Sequence, residues 1–398
     1  MKILLVEPDF PIPPKSKNHK NFLPIGLLKI GRYLKAIKHP LKIKLIRGNK
    51  RAGFYPDEIY ITSLFTYWSE HFWKSVEFYR KSYPKSKIKV GGIYVSLYYN
   101  DTKFRKTCRK LAVTPFFGVH YKAEKYLPDY GLLNNKQTPL NYQIVHSTRS
   151  CPRKCKFCFT WKIEPKLKSK DSLSNEICSN KLVFYDNNLL MNEHIEKLLD
   201  ELSISRWNNK QVYSESQSGF DGRVLELKPE LAILLKKARF INPRIAWDWK
   251  YNQWKKIENQ IKILRSAGYS AKEISIFMIF NWDIPFKEME KKRLKCWEWK
   301  VQITDCRNRP IKQLSDHFNS RIPQNNNDYF IHPKWTDKQV KQFRRNVRRQ
   351  NICVRHGFNF HSPILERKGV SKKLSMTFRK LKRASLKKRF PKVWFPDE

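Results

Sequence analysis

Acidic residues are what this chain lacks most. It has 35 Asp and Glu against 81 Lys and Arg, for a net charge of +46 over 398 residues. Most of those cations have no carboxylate to pair with. The simplest reading of the excess is a polyanionic partner, RNA or DNA. The plainer account is a compositional bias, since Lys, Asn and Ile are all abundant, although such a bias should have raised Glu as well. Long apolar runs are missing too: none approaches the roughly 18 residues of a membrane-spanning helix. The opening Met1-Lys2-Ile3-Leu4-Leu5-Val6-Glu7-Pro8 is too short an apolar stretch for a signal peptide and reads as a first β-strand. Cysteine is sparse, with 8 residues, and no paired second C-x2-C unit exists. Cys108, Cys178, Cys296, Cys306 and Cys353 are isolated, which argues against a second metal centre.

The remaining three cysteines stand together in Ser150-Cys151-Pro152-Arg153-Lys154-Cys155-Lys156-Phe157-Cys158-Phe159. Three thiolates at C-x3-C-x2-C spacing with no fourth in step suit a [4Fe–4S] cluster held through three irons, the fourth left open. The alternative is a structural zinc site, which needs four closed ligands. His146 and Cys178, the nearest fourth candidates, fall at no zinc-finger spacing. Disulfide pairing would compete with such a cluster, so the expected location is cytoplasmic.

The first 140 residues alternate strand and helix patterns. Ile3–Val6, Ile43–Ile46, Glu58–Leu64 and Ile88–Val90 read as strands, the last running into a Gly91-Gly92 turn; Ile25–Ile37 and Trp68–Tyr83 read as helices. Such alternation predicts a parallel, doubly wound sheet. Residues 94–140 are basic and aromatic. Tyr98, Tyr99, Phe104, Phe116, Phe117 and Tyr121 suit either base stacking or packing on a neighbouring domain. Thr138-Pro139 marks the expected crossing.

From 141 to 310 six further strands are expected: Tyr142–Ser147, Leu182–Tyr185, Gln211–Glu215, Arg244–Trp247, Ile274–Phe280 and Lys300–Thr304. Between them, Ile195, Leu198, Leu199 and Leu202 form one helical stripe and Trp254, Ile257, Ile261 and Leu264 another. If the strands curve into a barrel, active groups gather at their C-terminal ends. That selects Asp186 to Asn188, Ser214 to Gln217, Asp248, and Asn281 with Asp283. Past 310, Pro333–Arg349 reads as a basic helix with Lys341, Arg344, Arg345, Arg348 and Arg349 on much of one face, and Ser371–Lys388 as a basic tail.

The cysteine loop after the first of six β/α units resembles the radical S-adenosylmethionine (SAM) superfamily. The resemblance implies an α/β architecture in three parts. They are a Rossmann-like domain of the cobalamin-binding type over 1–140, a radical SAM partial (β/α)6 barrel, a partial TIM barrel, over 141–310, and a basic helical extension over 311–398. It implies Cys151, Cys155 and Cys158 as cluster ligands, Phe157 beside the SAM adenine, and Asp186, Asn188, Ser214 and Gln217 among the SAM contacts. Ser218-Gly219-Phe220-Asp221-Gly222-Arg223 is similar to a loop common in members with the Rossmann-type domain. The chain departs from cobalamin binders, because no D-x-H-x-x-G follows the first strand and His19 and His39 have no matching neighbours. The implied activity is SAM cleavage and hydrogen abstraction from an unidentified substrate, served by a flavodoxin- or ferredoxin-like electron donor. The competing reading is a nucleic-acid-binding protein with a structural metal at the cysteine loop.

Overall fold

In the computed structural model, residues 1–12, 23–133 and 140–357 are described. The expected basic tail Ser371–Lys388, His19 and Thr138-Pro139 lie outside the described residues. The chain is mixed α/β with parallel sheets.

The first sheet has five parallel strands: β1 (Lys2–Glu7), β2 (Lys42–Arg47), β3 (Glu58–Ser63), β4 (Lys87–Gly92) and β5 (Val113–Pro115), ordered β2-β1-β3-β4-β5. Period-two alternation in β1 sends Ile3 and Leu5 to one face and Leu4 and Val6 to the other. Both faces are covered, as a parallel sheet requires. On the Ile3 side lies helix α1 (Ile25–Ile37), whose bounds match the expectation. The Leu4 side packs against α2 (Ser69–Ser82), α3 (Ile93–Tyr98) and α4 (Thr102–Lys110) through Phe72, Val76, Tyr79, Val95 and Phe104. Gly91-Gly92 is not a separate turn: both residues end β4, which runs straight into α3. Gly92 has φ +99°, and a Cβ there would lie 2.1 Å from the Ser63 carbonyl oxygen, so only glycine fits. Strand β5 was not expected from the sequence, where three residues between a helix and a loop leave too short a pattern. Phe104 is core, whereas Phe116, Phe117 and Tyr121 are exposed.

Six more parallel strands follow in chain order as two triplets. They are β6 (Gln143–Val145), β7 (Lys181–Phe184), β8 (Tyr213–Ser216), then β9 (Arg244–Ala246), β10 (Ser275–Phe280) and β11 (Gln302–Arg307). Parallel bridges from Ser214 to Phe240 and from Phe220 to Ile245 join the two triplets. The third strand starts later than expected because Lys210–Gln211 instead pairs antiparallel with Arg206–Trp207 across Asn208-Asn209, both at positive φ. Helices α5 (Ile195–Ile204), α6 (Gly222–Leu227), α7 (Glu230–Lys237), α8 (Trp254–Ser266) and α9 (Phe286–Glu298) connect the strands. The expected stripes are buried: Ile195, Leu198, Leu199 and Leu202 from α5, and Ile257, Ile261 and Leu264 from α8.

Helix α10 (Asp337–His356) is no appendage. A capping box between Thr336 and Gln339 starts it, and Val340, Phe343 and Val347 enter the same core as Leu198 and Ile276. The boundary expected at 310 is therefore not a break in packing. A buried network ties α10 to α9. Arg293 binds Glu290 at 2.6 and 2.9 Å and Gln350 at 2.8 Å, while Asn346 donates to Glu290 at 3.0 Å. The expected basic face divides accordingly. Lys341 turns inward onto Asp337 at 2.6 Å, and Arg344 lies 3.8 Å from Asp305. Arg345, Arg348 and Arg349 face solvent. No helix among the described residues is long and apolar enough to cross a membrane.

Candidate active site at the cysteine loop

The loop leaves the C-terminal end of β6 and is pinned at its neck. Fully buried Asp186, two residues past β7, accepts at Oδ1 from the N–H and hydroxyl of Ser147 and of Thr148. Burial nevertheless raises its pKa, against those hydrogen bonds. Ser150, at φ +72°, donates its N–H to the Glu164 carboxylate at 2.7 Å and its hydroxyl to the Glu164 carbonyl. Residues 150 to 164 are thus a closed loop. Arg149 at its base reaches Glu124 at 2.7 Å, and Lys29 of α1 reaches the same carboxylate at 2.5 Å. Burial alone would lift the Glu124 pKa, yet Arg149 and Lys29 hold it below the usual range. This ion cluster fastens the first sheet's helix layer to the cysteine loop.

Within the loop, Cys155 N–H bonds the Arg153 carbonyl at 2.8 Å and Cys158 N–H bonds the Cys155 carbonyl at 3.0 Å. Cys151, Cys155 and Cys158 are half-buried free thiols. Asn188 Nδ2 lies 3.6 Å from Cys151 Sγ, and Thr160 Oγ1 lies 3.5 Å from Cys158 Sγ. Asp221 is a hub that sequence patterns did not reveal. It accepts from Arg153 at 3.0 Å, from Arg223 at 2.8 and 3.0 Å, and from Asn188 at 3.2 Å, and it caps α6. The Ser218–Arg223 loop is thereby tied to the cysteines. Burial raises the Cys155 pKa, while Arg223 opposes the shift by favouring the thiolate.

The other expected site residues separate into groups. Phe157 meets Trp282 edge-on at 6.2 Å. Asn188 stands beside Cys151 with its Oδ1 buried and, among the described residues, unpartnered. Gln217 is half-buried just past β8. Ser214 shares a register row with Leu182 and Gln143, on the side packed by helices. Glu215, on the opposite face, forms a buried pair with Arg244 at 2.5 Å. Asn281 and Asp283 hold the chain that precedes α10: Asn281 bonds Phe330 and His332 backbone, and Asp283 pairs with Lys334.

No family model matches the chain, and no curated protein does. The chemistry of the site rests on its own donors. Among the described residues, no group of three or more His, Cys, Asp or Glu is placed to hold a single metal ion. A cubane asks for something different: three thiolates spread around a larger body, with donors and cations beside the sulfurs. Cys151, Cys155 and Cys158 with Asn188, Thr160 and Arg223 fit that demand in kind.

Proposed function

We propose that this chain is a radical SAM enzyme with one [4Fe–4S] cluster on Cys151, Cys155 and Cys158. It would pair a Rossmann-like N-terminal domain with a partial (β/α)6 barrel. The observation that carries the reading is the position of the loop. A C-x3-C-x2-C triplet leaves the C-terminal end of the first of six parallel strands that follow in chain order, the end at which such folds gather reacting groups. When bound, the cluster supplies the electron for reductive cleavage of SAM and so a radical able to abstract hydrogen.

The protein's part is binding and orientation. Asn188 Oδ1, buried and without a partner among the described residues, is an acceptor suited to the SAM amino group. Phe157 offers a ring for the adenine. Asp186 orients the loop and does not touch SAM, and Ser214 belongs to the packing. Gln217 keeps its place at the mouth. The absent D-x-H-x-x-G leaves the first domain without a cobalamin ligand. A flavodoxin- or ferredoxin-like donor supplies electrons in this reading, and the exposed Arg345, Arg348 and Arg349 serve an RNA or DNA partner.

The test is anaerobic reconstitution with iron and sulfide. The expected product is a brown protein whose reduced cluster gives an electron-spin signal altered by SAM, with 5′-deoxyadenosine released. Cys151→Ala, Cys155→Ala and Cys158→Ala should each abolish the cubane, whereas Cys108→Ala should retain the iron. A colourless zinc protein that binds nucleic acid would establish the competing reading instead.

A further inference from the structure

The two strand triplets differ on the face turned away from the connecting helices. In β6 and β7 that face is filled: Ile144 and Val183 pack with Ile25 and Leu28 of α1. In β9 to β11 it is open among the described residues. Ala246, Phe277 and Thr304 stand side by side in register, and Ile279 stands beside Cys306 in the next row. Ala246 and Cys306 are exposed although they lie within strands, while Ile245, Met278 and Ile303, their neighbours on the opposite face, are buried. Cys306 opens to solvent from that face. Solvent therefore reaches a strand face that carries mostly apolar side chains.

Asp248, two residues past β9, continues the Arg244–Ala246 side of that strand. It is close enough to Cys306 and to Cys155 for its charge to act on both. No hydrogen bond or ion pair engages its carboxylate among the described residues. The nearby cations are committed elsewhere. Lys292 of α9 donates to the Trp247 and Trp249 carbonyls at 2.5 and 3.0 Å, and Arg223 is bidentate on Asp221. Near Cys306 stand Tyr67, in the turn that follows β3, and Arg309, 4.5 Å from its ring.

We propose that the open face of β9 to β11 is a substrate hollow in which Asp248 accepts a hydrogen bond from a neutral N–H donor, of the amide or nucleobase-edge kind, carried on a planar apolar body. A free carboxylate on the same strand face as Ala246, Phe277 and Ile279 wants a donor. The charges of Lys292 and Arg223 already act on Asp248 without bonding it, so a second full cation is not required, and an anion would meet a carboxylate of like charge. As a substrate site the hollow rests on the radical SAM reading; as a binding site it stands on the sheet geometry alone.

The full-length protein as purified, without cluster reconstitution, is titrated with benzamide, benzylamine and benzoate by ligand-observed NMR. Benzamide should bind tightest and benzoate least. Asp248→Leu should weaken benzamide at least tenfold. Ala246→Trp, which fills the hollow from an exposed position and leaves the helix-packed face untouched, should abolish binding of all three. Preference for benzylamine, no benzamide binding to folded protein, or indifference to both variants would overturn the proposal. So would a tenfold loss of SAM affinity in reconstituted Asp248→Leu protein, which would give the carboxylate to SAM. Failure to assemble a cubane would instead remove the enzyme reading and leave the benzamide result standing.

Discussion

Asp186 Oδ1 accepts both the N–H and the hydroxyl of Thr148, so the strand after the cysteine loop holds the loop's first residues in place. Ser147 gives the same carboxylate oxygen its own two bonds. Asp186→Ala would leave these buried donors without an acceptor. The expected cost is about 3 kcal/mol or more in denaturant unfolding, with iron uptake lost in the same variant. Full stability with normal iron content would show that the loop does not depend on this clamp.

Asn188 and Ser214 looked alike as strand-end polar residues, and the structure sets them apart. Asn188 lies beside Cys151 with an acceptor that is free among the described residues, whereas Ser214 sits in the Leu182 row on the helix side. Titrating SAM against reconstituted protein should show weaker binding for Asn188→Ala, by about 1 kcal/mol or more as one hydrogen bond is lost, with iron content held. Ser214→Ala should bind SAM like the parent. Equal effects from the two variants would mean that the assigned faces are wrong.

Much of this architecture was legible in the residue pattern. Helix Ile25–Ile37 and strands β1 to β4 declare themselves because apolar alternation and helical stripes both commit to buried faces. The six later strands are legible for the same reason, and so is the cysteine triplet. Hidden features depend on contacts distant in sequence. Asp221 becomes a hub only when Arg153 and Asn188 arrive from other elements. The basic reading of α10 missed its inner face, where Val340, Phe343 and Val347 are spaced for a core but outnumbered by charge. Strand β5 is too short to show a period.

Asp248 gives a pH dependence whose sign is fixed. Burial pushes its pKa up from 3.8 to about 6, with Lys292 and Arg223 opposing. A carboxyl with a raised folded-state pKa adds stability that is fully present below about pH 4 and lost as pH rises through about 6. Asp248→Asn cannot ionise and lacks this component. The stability of the parent relative to Asp248→Asn should therefore fall between pH 4 and 7, by about 3 kcal/mol at most. Urea unfolding across that range measures it. A flat or rising difference would show that the carboxylate is not desolvated in the folded protein.

The last prediction concerns the surplus charge. Ending the chain after Asn327 would be a poor test, because α10 places Phe343 and Val347 in the core beneath the two strand triplets and its loss would unfold that part of the chain. Point substitutions on its outer side avoid that. Arg345, Arg348 and Arg349 are exposed and lie on a single helix. If they contact phosphates, each neutralised phosphate releases counterions, and the slope of log affinity against log salt counts the contacts. Replacing all three by Gln should make the slope for duplex DNA shallower by about 2 to 3 units, while iron content and thermal stability stay near the parent's. A slope near zero in the intact protein would make the +46 a matter of composition. An unchanged slope in the triple variant would move the contacts elsewhere, with the exposed Lys103, Arg105, Lys106, Arg109 and Lys110 around α4 the next cations to replace.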